Sequence, residues 1–178
     1  MAGEKGFFSR LFGNKEEDTA EISNYENLTS PLSGKIIPLT EIPDETFASG
    51  MLGDGIGIEP LEGKLYSPID GKIETIFHTK HAVFIKTPIG AEVLIHVGKD
   101  TVSLSGEHFT AHVESGDEVK QGQLILEFDM AAIKSKGYEL ITPITISNSA
   151  EFNIEKTLTT DVHTGDTIIK LTKKDMPE

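Results

Sequence analysis

Two histidines hold most of the chemical potential of this chain. His96 lies in the run VLIHVGKDTV (93–102) and His81 opens the run HAVFIKTP (81–88), both rich in β-branched and apolar residues. Runs of this kind form largely buried strands, where an imidazole destabilises the fold unless its nitrogens are satisfied. Two imidazoles side by side resist being protonated together, so near neutral pH one ring offers a nucleophilic or accepting nitrogen and its neighbour an N–H donor. That division suits transient phosphorylation, with one nitrogen attacking phosphorus and the other ring steadying the added charge. It also suits a purely structural pair, or a zinc site completed by a carboxylate. The residues alone leave all three open.

What must bring the rings together is the hairpin between these two runs. Its connection, around Thr87, Pro88, Ile89 and Gly90, has a proline to start a turn and a glycine free to take positive φ. With an even loop, partners sum to 177 and His81 falls directly opposite His96, their Cβ atoms about 5 Å apart. Thr79 then pairs with Gly98 and shares the face of His81. A three-residue Pro-Ile-Gly loop with a G1 bulge is the sterically attractive alternative, and it would move His81 to the other face.

The surrounding elements are strands too. Short runs punctuated by Gly, Pro and Asp (GKIIPL, GIGIEP, GKLYSP, GKIETIF, AEVLIHVG, GQLILEFD, ITPITISN, TIIKLT) predict an all-β fold, an antiparallel β-sandwich with at most short helical turns. Only 129–136, DMAAIKSK before Gly137, reads as a helical turn, with Asp as cap and Gly as stop. Two internal echoes suggest duplicated hairpin units. SPLSGKIIPL (30–39) matches SPIDGKIETI (67–76), and VESGDEV (113–119) matches VHTGDTI (162–168).

Composition narrows the partners. A chain of 178 residues with a formal charge of −13 and no cysteine offers no basic stripe for nucleic acid, no thiolate and no disulfide. No apolar run approaches the ~20 residues of a bilayer span, and a cytoplasmic protein is expected. Residues 1–27 read as a tail in which Phe7, Phe8, Leu11 and Phe12 would share one helical face, either a weak membrane or partner anchor or an unstructured extension. The globular domain is expected over 28–172, with 173–178 a C-terminal tail.

These stretches resemble the glucose-type enzyme IIA proteins of the bacterial phosphoenolpyruvate-dependent sugar phosphotransferase system. The resemblance runs through SPLSGKIIPLTEIPDETFASGMLGDGIGIEP, GKLYSPIDGKIETIFHTKHAVFI, GAEVLIHVGKDTVSLSGEHF, GDEVKQGQLILEFDMAAIKSKGY and TPITISN, across roughly residues 28–172. It implies a hybrid barrel-sandwich fold and a phosphotransferase without cofactor, expected to be monomeric. His96 is implied as the phosphorylated residue, His81 as the second active-site histidine, with Thr79 and the Gly98 carbonyl orienting them. A carbonyl accepting His96 Nδ1–H would leave Nε2 as the attacking atom. The phosphoryl donor implied is the carrier HPr and the acceptor a cysteine of a IIB domain, expected on another polypeptide or domain because these residues include no cysteine. Phe47 is implied as part of a partner-binding rim; relatives carry two valines where Glu45 and Thr46 stand here.

Other signals are weaker. His108 and His112 have i, i+4 spacing but lack the HExxH carboxylate, and Asp100 could orient the site or merely close a strand. A zinc-dependent hydrolase using His81 and His96 is the alternative function, although hydrolases of related architecture use His-x-His, which does not occur here. A zinc ion shared by His81, His96 and a regulatory partner is a further alternative. The run GDEVKQGQLILEF is similar to lipoyl and biotinyl carrier domains, without their lysine in a Met-Lys setting at a hairpin tip.

Overall fold

The computed structural model describes residues 23–175. The strands assemble into one large sheet and two small ones, with every pairing antiparallel. Three strands form one small sheet in the order β1-β14-β12: β1 (Tyr25–Thr29), β14 (Thr167–Lys173) and β12 (Phe152–Lys156). A second is ordered β4-β10-β8, from β4 (Lys64–Tyr66), β10 (Leu124–Phe128) and β8 (Phe109–Ala111). The eight-stranded sheet runs β13-β2-β3-β11-β7-β6-β5-β9. Its members are β2 (Gly34–Pro38), β3 (Asp54–Pro60), β5 (Gly71–Ile76), β6 (Ala82–Lys86), β7 (Glu92–His96), β9 (Glu118–Val119), β11 (Thr142–Ile146) and β13 (Asp161–Val162). None of the sheets closes into a barrel.

Burial explains why β6 and β7 are near-continuous apolar runs while β5 alternates. Val83, Ile85, Val93, Ile95, Ile144 and Ile146 point into the main core and are essentially inaccessible. The opposite face is covered as well, by a smaller cluster of Leu39, Ile42, Phe47, Ala82 and Leu94. Strands buried on both faces have no position left for a polar alternation. In β5 only Ile73 is buried, and Lys72 and Glu74 face outward.

Each predicted strand run forms a strand, and the helical turn is α2 (Met130–Ser135). Asp129 caps it by accepting from Ala132 N–H at 3.0 Å, and Gly137 follows at φ +89°. Tyr25 to Asn27, placed in the tail by the sequence boundaries, instead pair with Lys170 to Thr172 of β14, which itself runs on to Lys173. Tyr25 and Asn27 stay exposed on this edge strand, so no apolar alternation marks it. The aromatic segment at residues 7–12 lies outside the described residues.

Both sequence echoes are repeated local structures. Ser30 and Ser67, each buried, donate their hydroxyls to the carbonyls of Leu32 and Ile69 at 2.6 and 2.7 Å. The Gly-Asp turns match equally: Asp117 accepts from Glu114 N–H and Asp166 from His163 N–H, both at 2.8 Å, around Gly116 and Gly165 at φ +96° and +97°.

The β6–β7 register corrects the even-loop expectation. Partners run from Ala82↔His96 to Lys86↔Glu92, summing to 178. Beyond them Thr87 N–H donates to Ala91 C=O at 2.9 Å, Gly90 N–H to Thr87 C=O at 2.9 Å, and Gly90 takes φ +89°. The Pro-Ile-Gly loop wins because its glycine supplies the left-handed residue that such a hairpin needs. The tip is tied to neighbouring segments: Ile89 N–H donates to Glu26 Oε1 at 3.1 Å and Asn148 Nδ2 to Gly90 C=O at 2.9 Å.

Candidate active site

His81 and His96 meet despite that register. Their ring centroids are 4.9 Å apart and nearly perpendicular, at 83°. A regular ladder summing to 178 would send His81 to the far face, but β6 begins only at Ala82. A tight turn precedes it, Lys80 N–H donating to Phe77 C=O at 2.7 Å with Lys80 itself at φ +58°. That left-handed residue breaks the alternation one position before His81 and frees its ring to turn toward His96. The His81 carbonyl stays in the ladder, accepting from Val97 N–H at 2.7 Å.

Each ring is fixed through Nδ1. His96 Nδ1 lies 2.7 Å from the Gly98 carbonyl oxygen. A carbonyl only accepts, so Nδ1 carries the hydrogen and Nε2 presents its lone pair. Gly98 has φ +74°, a conformation glycine takes without a Cβ penalty. His81 Nδ1 lies 2.7 Å from Thr79 Oγ1; with the hydroxyl donating, Nε2 of His81 carries N–H. Thr79, His81, His96 and Gly98, selected from the sequence, are thus neighbours in space.

Both rings are held neutral. His81, only 5% exposed, is pushed down to about 4, first by burial and then by the adjacent His96. Burial also lowers the half-buried His96, opposed by its bond to the Gly98 carbonyl and by the charges of Asp44 and Asp100. The sequence pointed to Asp100 but not to Asp44. The short helix α1 (Glu45–Ala48) brings that residue near, with Asp44 as its cap, accepting from Thr46 N–H at 3.1 Å. Its legible signal was the cap residue in PDETFA, read as chemistry only once the helix abuts β7.

Two phenylalanines complete the surround. Phe47 of α1 is 3% exposed and packs its ring 5.3 Å from His96, tilted 56°. It belongs to the small cluster behind the site, whereas Met51, just past α1, is 77% exposed. Phe77 stands 5.4 Å from His81 with its outer edge open to solvent. It closes the strand run before Thr79, and an exposed aromatic beside the two rings could have been sought there. His108 and His112 are not brought together as ligands: His112 Nε2–H donates to Glu127 at 2.8 Å, and His108 adopts φ +71° at the entry to β8. Among the described residues no group of three or more His, Cys, Asp or Glu side chains is arranged to hold a metal, so a hydrolase reading lacks a third ligand.

The chain is similar to several known proteins. Residues 26–152 match the family described as phosphoenolpyruvate-dependent sugar phosphotransferase system, EIIA 1. The glucose-specific EIIA component of Oceanobacillus iheyensis is 46% identical over 142 residues, covering 80% of this chain and 84% of that protein. The beta-glucoside-specific EIIBCA component of Dickeya chrysanthemi is 53% identical over 127 residues, 71% of this chain; the match spans 20% of that longer protein. Glucose permease IIA from Mycoplasma capricolum has the same fold, with a TM-score of 0.79 at 36% identity over 82% of this chain and 95% of that one.

Proposed function

The chain belongs to the EIIA 1 family of the phosphoenolpyruvate-dependent sugar phosphotransferase system, and on that premise we propose that it relays a phosphoryl group through Nε2 of His96. The observation that carries this reading is the 2.7 Å bond from His96 Nδ1–H to the Gly98 carbonyl, beside a second neutral imidazole 4.9 Å away. In the first half-reaction the Nε2 lone pair attacks the phosphorus of a phosphohistidine donor, the carrier HPr. One P–N bond forms here as the donor's P–N bond breaks, and the donor imidazole leaves with its electron pair. The Gly98 carbonyl stabilises the positive charge that the His96 ring acquires. His81, oriented by Thr79, donates N–H to a phosphoryl oxygen.

In the second half-reaction a cysteine thiolate of a IIB domain attacks the same phosphorus, forming P–S and releasing neutral His96. Fusion of EIIA with EIIB in relatives such as the Dickeya protein supports this acceptor. Sugars of the glucose class are the cargo of the pathway served, and the step is assigned to the cytoplasm. No helix among the described residues is long and apolar enough to cross a membrane. Phe47 acts as a wedge holding His96 upright, and the exposed Met51 and Phe77 edges meet the visiting partner.

The test is incubation of the purified chain with phosphoenolpyruvate and the general phosphotransferase proteins. Intact mass should show one phosphoryl group, acid-labile and base-stable. A phosphate that survives acid, or one retained when His96 is replaced, would remove His96 from the relay.

A further inference from the structure

Gly98 orients His96, but something must orient Gly98, whose backbone has unusual freedom. Each peptide unit beside its Cα is held from a different side. The Gly98–Lys99 unit has its carbonyl on His96 Nδ1 and its N–H, at Lys99, on the Glu139 carbonyl at 3.0 Å. In a trans peptide these groups point oppositely, so anchoring the N–H aims the carbonyl. The Val97–Gly98 unit has its carbonyl on the Thr101 hydroxyl, which donates to it. Thr101 is fully buried, and its methyl lies under Gly98: a Cβ added at Gly98 would stand 2.8 Å from Thr101 Cγ2 and 2.6 Å from the Glu139 carbonyl oxygen.

We propose that Thr101 is a positioning residue for the phosphoryl relay: by locking the Val97 carbonyl it fixes the Gly98 backbone, and so keeps hydrogen on Nδ1 and the lone pair on Nε2 of His96. Thr101 is fully buried, out of reach of an incoming phosphoryl group, and its hydroxyl bonds to the Val97 carbonyl rather than to the ring. With the hydroxyl removed, the Val97 carbonyl loses its buried donor and the peptide can rotate about Gly98. The bond that selects the tautomer then weakens, and part of the population carries hydrogen on Nε2, where it blocks attack.

The inference rests on His96 as nucleophile for its consequence, but its readout needs no phosphoryl donor and therefore fails or stands separately. Nitrogen-15 NMR of the unphosphorylated protein reports the tautomer of His96 directly. Thr101→Val keeps the shape and deletes the hydroxyl; it should give a measurable Nε2–H population and slow labelling about tenfold, the scale of lost outer-shell orientation. Thr101→Ser restores the donor and should return both to the unaltered values. A folded Thr101→Val protein with His96 still wholly Nδ1–H overturns the proposal, as does a tautomer shift in Thr101→Ser. Should the valine variant not fold, the unaltered protein decides: its Thr101 hydroxyl proton should be observable in slow exchange close to Gly98, and rapid exchange overturns the assignment.

Discussion

Two pairs of histidines can be compared within this one chain. His108 and His112 are four residues apart, a spacing that on a helix places two side chains on one face. They flank a strand instead, where four residues span about 13 Å. His81 and His96 are farther apart along the chain, yet their rings touch because a hairpin folds between them. In the near pair His112 is exposed on Glu127 and His108 is half-buried with its Nε2 unpartnered; the far pair is sunk against two aromatic rings and held through Nδ1. Spacing acquires chemical meaning only through the element that carries it.

The most drastic way to test the contrast is to delete one ring from each pair. His96→Ala should abolish labelling, whereas His112→Ala should leave it unchanged; equal loss in both would mean that the distinction drawn between the pairs is false. Next in size is His81→Gln. Labelling of His96 should persist, since its Nε2 keeps the lone pair, while onward transfer to a IIB acceptor falls at least about a hundredfold, the usual weight of an oriented hydrogen-bond donor at the reacting oxygens. Normal onward transfer in that variant would reduce His81 to a packing residue.

A backbone change sharpens the same comparison. Gly98→Ala imposes strain at φ +74° and a clash with the Glu139 carbonyl, so both melting temperature and labelling rate should drop, the latter about tenfold or more. Gly122, also left-handed at φ +82° but with open space around its missing Cβ, is the control: its alanine variant should cost some stability and no labelling.

The subtlest difference is in pH. His81 titrates near 4 in the fold against about 6.5 in an unfolded chain, so between those values the unfolded state binds more protons. Its contribution to stability is therefore fully present above about pH 6.5, declines as the pH falls toward 4, and changes no further below that. Urea midpoints measured from pH 7 to pH 4 should show a flatter acid decline for His81→Gln than for the unaltered protein.

The strands with apolar cores were legible because burial on one or both faces writes itself into residue type. β1, β8, β12 and the two-residue strands were not, since exposed edge segments such as YENLT have no such signature. Type and resemblance picked out residues that the structure brings together, Thr79, His81, His96 and Gly98, whereas the register expected to join them was incorrect. An even-loop register was expected to align the rings; a three-residue loop and a left-handed Lys80 align them in its place. Nothing in the letters TKH announces that Lys80 takes positive φ, a choice made by the tertiary setting of the turn. Thr101, Asp44 and Phe77 were hidden for a related reason, because their roles depend on which backbone passes beside them.

The ties at the hairpin tip have a kinetic corollary. With Ile89 bonded to Glu26, Gly90 to Asn148, and both rings anchored through their inner nitrogens, the reactive centre has no swinging arm and no hinge of its own. On the proposed relay, the phosphoryl group then moves by exchange of whole proteins at a stationary berth rather than by travel of an arm.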